Sequence, residues 1–243
     1  MKNNSICRNS LTILLVCVAL IPKAQTSKAN WFVEGNLGNL MYNQNRNTGA
    51  NIVKTVGNDF RFSLNPRAAY FISDRLALGS TLGYGYSIGN NKWYYENNKL
   101  GGNNKYRFQS ISLVPFVRYY LNEPKNKWQY YAQVGAGFAY GKQTSTGTNY
   151  NESGFFNNRY ENSATTQIYL GEAHVGLHYF ITPQLALNSS IGANFANSKQ
   201  RVTNFDVSLN APSSSPYQNS YDTNSLNFIW NFGFTYFIPT GKK

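Results

Sequence analysis

The sequence predicts an all-β protein, an eight-stranded antiparallel up-and-down transmembrane β-barrel with short turns at one end and long loops at the other. Three observations carry this. Period-two alternation recurs from residue 30 onward, with no long helical periodicity. The chain opens like an export signal. Its composition is aromatic-rich at 16 % and charge-poor at 13 %, yet its mean hydropathy is −0.45. That combination suits strands with one face toward lipid and the other toward a polar lumen.

The N-terminus comes first. Lys2 and Arg8 precede an uninterrupted apolar run, LTILLVCVALI (11–21), too short to span a bilayer as a helix. Residues 1–24 are therefore expected to be a signal peptide, cleaved within 24–29, and residues 30–243 the barrel domain. Both cysteines, Cys7 and Cys17, fall in the signal. The mature chain then has no disulfide, no thiol chemistry and no cysteine-ligated metal. Removal of Lys2, Arg8 and Lys23 leaves 19 basic against 10 acidic residues, a net +9. The cations are scattered rather than clustered, which argues against nucleic acid. Anionic headgroups and surface glycolipid are the expected partners.

Eight strands follow, at about 30–41, 58–72, 75–89, 105–121, 127–141, 164–181, 184–198 and 224–238. In the last, Leu226, Phe228, Trp230, Phe232, Phe234, Tyr236 and Ile238 share one face, opposite Ser225, Asn227, Asn231, Gly233 and Thr235. A narrow interior cannot hold so many large rings, so the bulky face points outward and the small polar face inward. The connections 73–75, 122–127 and 182–184 are tight. The others, about 43–57, 90–104, 142–163 and 199–223, are long and rich in Asn, Ser, Gly and Tyr, and hairpins within them would carry the sheet beyond the membrane or raise the count to ten. Trp31, Tyr70, Tyr119, Trp128, Tyr179 and Tyr236 all fall beside the short-turn end with outward parity, an expected aromatic girdle.

A hairpin repeat runs through the chain: Ser63–Ile72 aligns without gaps on Ser112–Leu121, placing Pro66 and Pro115 at matching positions. Each proline is read as a bend that forfeits a ladder bond. The stretches SLNPRAAYFISDRLALGSTLGYGYS (63–87) and ISLVPFVRYYL (111–121) resemble the outer-membrane β-barrel domain family of Bacteroidota, similar in architecture to small OmpA-, OmpX- and OmpW-type barrels. The resemblance covers essentially the whole mature chain. It implies location in the cell outer membrane, insertion by the outer-membrane assembly machinery, and a monomer. Such barrels often finish on an aromatic, whereas here Phe237 is followed by IPTGKK.

Inward parity gathers Glu34, Arg61, Arg67, Arg118, Glu172, His174 and His178. These are expected to form an ion-pair and hydrogen-bond network filling the lumen, with Glu34 and Glu172 paired to Arg67 and Arg118. His174 and His178 are four apart, a metal pair on a helix but two lumen layers apart on a strand, so no metal and no cofactor are expected. The glycines at 83, 85 and 89 and at 135, 137 and 141 superficially suggest a phosphate loop, but no helix follows, and inward glycines make room in a crowded lumen. Trp93, Tyr94, Tyr95, Phe155 and Phe156 lie in the long loops among Asn, Ser and Lys, a composition suited to recognition of an unidentified extracellular partner. The expected function is non-enzymatic: a barrel with a largely filled lumen, structural or interacting through its loops. The alternative is an OmpW-like channel for small or hydrophobic solutes. An enzyme modifying lipid A would need a histidine beside a Ser or carboxylate at an accessible rim.

Overall fold

The structure, a computed structural model, describes residues 28–36, 40–48, 54–95, 99–123, 126–151, 153, 155–208 and 217–240. The expected signal peptide and most of its cleavage region lie outside them. Among the described residues there are ten strands: β1 (Trp31–Asn36), β2 (Leu40–Thr48), β3 (Lys54–Leu64), β4 (Arg67–Phe71), β5 (Leu76–Tyr94), β6 (Leu100–Tyr120), β7 (Trp128–Tyr150), β8 (Phe156–Phe180), β9 (Leu185–Ser208) and β10 (Tyr217–Ile238). Every pairing is antiparallel. Eight strands close a ring in the order β1-β4-β5-β6-β7-β8-β9-β10, with β10 returning to β1. The alternation selects this closure, because above the short-turn end the strands of the ring keep their small or polar residues on the inner side.

Ten elements rather than eight arise because two expected strands are each in two pieces. The 58–72 strand breaks into β3 and β4 at Asn65-Pro66, where proline has no N–H for the ladder. Its register with β5 is preserved across the break, from Ser63↔Gly85 to Arg67↔Thr81, and Leu82 N–H donates to the Pro66 carbonyl at 3.0 Å. Pro115 forfeits a bond on the other side. The β6–β7 ladder skips from Leu113↔Phe138 to Phe116↔Gly135.

The 30–41 strand differs in kind. β1 pairs with β4 as Glu34↔Arg67, whereas β2 pairs with β3 as Leu40↔Phe62, one residue out of step. A one-residue slip turns the opposite face inward. Even-numbered Phe32 and Glu34 point into the lumen from β1. In β2 it is odd-numbered Met41 that shares the inner face, opposite Arg61.

The short connections behave as expected. Ile72 N–H reaches the Leu76 carbonyl at 2.9 Å, and Thr182 Oγ1 accepts from Leu185 N–H at 3.0 Å. The described parts of the long connections are largely strand rather than loop. The β5–β6 ladder continues to Trp93↔Gly102, β7–β8 to Asn149↔Asn158, and β9–β10 to Asn204↔Tyr217. Thr and Tyr favour strands, and pairing with a neighbouring strand carries the Asn and Gly among them, so each hairpin extends the wall.

The outer wall carries Leu78, Leu82, Ile111, Val134, Phe138, Val175, Ile191, Phe195, Phe228 and Trp230, all exposed. The inner face is tight. A Cβ on Gly137 would press on the Leu113 carbonyl and Val114 Cα, where β6 and β7 lack ladder pairs beside Pro115. Gly137→Val is expected to destabilise the barrel by ~1–3 kcal/mol through overpacking. Its urea unfolding midpoint in micelles should fall, while Gly35→Ala, which meets nothing within 4 Å, should leave the midpoint unchanged.

Candidate functional site

At the short-turn end the lumen is filled. Phe32, Phe71, Tyr120, Tyr131, Phe180 and Phe237 are all buried and stack across the ring. Centroids lie 5.8 Å apart for Phe32–Phe71, 5.4 Å for Phe71–Tyr120, 5.8 Å for Tyr120–Tyr131 and 5.0 Å for Phe180–Phe237. Six strands each supply one ring to this layer, and the sequence reading, which placed large rings outside, missed them. The signal was available: Phe32, Phe71 and Phe237 have the parity of Glu34, Arg67 and Thr235 on their own strands.

Above this layer sits a polar one. Glu34 accepts from Arg67 Nη1 at 2.9 Å and from Arg118 Nη1 at 2.8 Å, with all three side chains buried. Arg67 Nε donates to Thr81 Oγ1 at 3.2 Å. Arg118 Nε donates to Gln133 Oε1 at 2.9 Å, and its guanidinium lies 4.1 Å from the Tyr131 ring centroid. The planar fork of Arg118 thus meets a carboxylate, an amide and an aromatic face together. His178 Nε2 lies 3.6 Å from Glu34 Oε2 and 3.2 Å from Thr235 Oγ1.

Two expected partners differ. Among the described residues, no arginine is ion-paired to Glu172. It accepts from Gln133 Nε2 at 2.8 Å and lies 3.6 Å from His174 Nε2. Glu34 already holds both guanidiniums, and Gln133 stands between Arg118 and Glu172. Arg61 is not in this cluster. Its side chain is 59 % exposed and donates to Asp59 at 2.5 Å. Asp59 also accepts from Tyr106 at 2.8 Å and Ser87 at 3.3 Å, a second inward cluster near the long-hairpin end. Asp59 sits two residues before Arg61 with the same parity, so alternation alone could have found it.

His174 and His178 are both buried in the lumen. Among the described residues, no group of three or more His, Cys, Asp or Glu is placed to hold a metal ion. The aromatic positions fall at the short-turn end: Trp31 packs on Tyr70 at 5.1 Å and Trp128 on Tyr179 at 4.5 Å, while Tyr119 pairs with Leu76 and Tyr236 with Leu185. Lys127 Nζ lies 4.7 Å over the Tyr179 ring. Trp93 and Tyr94 are in β5 rather than a loop. Tyr95 donates to the Tyr150 carbonyl at 2.8 Å and its ring meets Trp93 at 5.2 Å, so these aromatics brace neighbouring hairpins. Phe155 and Phe156 are exposed at the β7–β8 tip.

Among the described residues, the wall is unpaired along one side. β10 pairs with β1 only from Ile238 to Gly233. Beyond Gly233, among the described residues, β10 pairs only with β9, and β2 pairs only with β3. The one-residue slip between β1 and β2 explains this seam, because the faces of β2 are out of phase with the ladder that β1 makes to β10. Residues 218–224 of β10 and Met41, Tyr42, Gln44, Asn45 and Arg46 of β2 are exposed, whichever face they are on. Beside the seam a cavity of about 500 Å³ is lined by Met41, Arg61, Phe62, Tyr86, Tyr106 and Phe108 among others.

No protein-family model matches the chain, and no curated protein matches it. Among solved structures, the outer membrane protein OprG from Pseudomonas aeruginosa is similar, with a TM-score of 0.45 and 12 % identity over 88 % of this chain and 98 % of that one.

Proposed function

We propose that this protein is a non-enzymatic outer-membrane β-barrel, sealed along its axis, that passes small hydrophobic solutes sideways between its outward mouth and the bilayer. The short-turn end faces the periplasm and the long hairpins face outward, as in other barrels of this construction. An exposed apolar wall on a closed ring supports membrane insertion, since closure leaves no backbone edge at the base. The buried aromatic and Glu34–Arg118 layers support axial closure. The observation that carries lateral exchange is the unpaired seam between β2 and β10. Unpaired backbone is tolerated at membrane depth only where it is buried in protein or lines a water-filled cavity, and the residues beside this seam are exposed. Asn45, Ser225 and Asn227 on the inner face beside the seam supply such a lining, and the cavity at Met41 and Phe108 supplies an apolar berth.

The test is uptake of a small aromatic solute by cells producing the barrel. Asn45→Cys and Ser225→Cys, bridged by a short bis-maleimide, lock the seam; the absence of other cysteines in the mature chain keeps the labelling clean. Faster uptake than in cells lacking the barrel, lost on bridging and retained in each single variant, is the expected result. Uptake indifferent to bridging would sink the lateral route. A second reading would then lead, a structural scaffold interacting through its hairpins, favoured by Phe155, 72 % exposed at a hairpin tip.

A further inference from the structure

Above the apolar band the outer wall changes character abruptly. Along β7 the outward residues run from Trp128 through Val134 and Phe138 to Tyr140, and then Lys142. Twelve residues on a strand tilted by roughly 40° rise about 30 Å, the thickness of a hydrocarbon core. Tyr140 and Tyr169 are exposed at this height, an upper aromatic belt that the sequence reading did not identify. Cations begin immediately beyond it.

The ladder register places them together. One cross-strand row reads Gln109, Lys142, Thr165, Arg201 and Ser220 across β6 to β10. The row nearer the apolar band reads Ile111, Tyr140, Gln167, Lys199 and Asp222. Lys142, Lys199 and Arg201 are exposed, and among the described residues none forms an ion pair. Between the two rows lies a polar groove of about 360 Å³, walled by Tyr140, Thr165, Gln167, Lys199, Arg201 and Asp222. Lys142 and Arg201 stand two strands apart, about 10 Å, with the Thr165 hydroxyl between them.

We propose that this groove binds the phosphorylated sugar headgroup of an outer-leaflet glycolipid. This rests on the membrane orientation proposed above. Two cations separated by hydrogen-bonding side chains match two phosphates separated by sugar rings, whereas a phospholipid offers one phosphate and no sugar for Gln167, Thr165 and the Tyr140 ring. Arg201 supplies a fork that grips phosphate through two N–H groups. Lys142 and Lys199 act as point charges. Asp222, opposite Lys199, opposes the binding of any anion and sets its affinity below what the cations alone would give.

The experiment uses the mature chain refolded in neutral detergent, with native mass spectrometry scoring retention of bis-phosphorylated lipid A, its dephosphorylated form, and phosphatidylglycerol. Preference for the bis-phosphorylated form by about tenfold is expected. Lys142→Gln with Arg201→Gln should lower retention about tenfold, and Asp222→Asn should raise it two- to fivefold, a gain that misfolding cannot produce. Equal retention of the phosphorylated and dephosphorylated forms, or of phosphatidylglycerol, would overturn the site. Insertion into phosphatidylcholine vesicles is scored separately. Failure there removes the membrane reading itself, whereas insertion without phosphate preference removes the glycolipid site alone.

Discussion

Glu34→Ala is expected to be among the most damaging single substitutions in the barrel, lowering stability by ~3–5 kcal/mol, because it strands two buried guanidiniums at once. Arg67 and Arg118 both donate to this carboxylate, at 2.9 and 2.8 Å, and the Arg118 side chain has no solvent exposure. Removing one member of a buried ionic cluster leaves the others desolvated and uncompensated. Glu34→Gln should lose less, since an amide oxygen still accepts one of the two hydrogen bonds. Replacing Glu34 and Arg118 together by methionine should also lose less than Glu34→Ala, since the most deeply buried orphaned charge is gone. Urea unfolding in micelles, followed by tryptophan fluorescence and heat-modifiable migration, ranks the three. A Glu34→Ala barrel as stable as the wild type would mean that the cluster does not hold the lumen closed.

Truncating the aromatic layer should convert a silent barrel into a conducting one. The wild type is expected to show no steady openings in a planar bilayer, because Phe71 and Tyr120, both fully buried, close the lumen together with Phe32 and Phe237. Phe71→Ala with Tyr120→Ala removes two stacked rings 5.4 Å apart. Each truncation costs ~3–5 kcal/mol through lost burial and cavity formation, yet the ladders of β5 to β10 remain to hold the wall. Water entering that gap would hydrate the Glu34–Arg67–Arg118 layer, and a hydrated ionic layer no longer blocks the lumen, so the new conductance should depend on bath salt. Leu78→Ala on the outer wall is the control and should stay silent. Steady openings in the wild type, of the same size as in the double variant, would place the ion path elsewhere and remove axial closure from the proposed function.

Much of this architecture was legible in alternation. Strand ends at the short turns fall within one or two residues of expectation, since Ser73-Asp74-Arg75 and Thr182-Pro183-Gln184 are strong local turn signals. Inward parity also selected Glu34, Arg67, Arg118 and His178, because on a strand facing is a local property. The partners were not local. Glu34 meets Arg118 across 84 residues of sequence, and no spacing rule distinguishes that pairing from Glu172 with Arg118. In the sequence the long connections read as loops, because Asn, Ser and Gly are turn formers. Paired with a neighbouring strand the same residues extend the sheet, and the pairing is a tertiary fact.

By itself, then, the sequence determined which residues of a continuous strand share a face and where the short turns fall, because these follow from the two-residue period of an extended backbone and from local turn residues. The tertiary structure alone decided three other things. It decided which inward side chains touch, because ring closure sets the distances across a lumen. It decided that the outward cations form two adjacent rows, because register between strands aligns residues remote in sequence. It also decided that the wall has a seam, because a single-residue slip between β1 and β2 is invisible in alternation until each piece is paired to its neighbour.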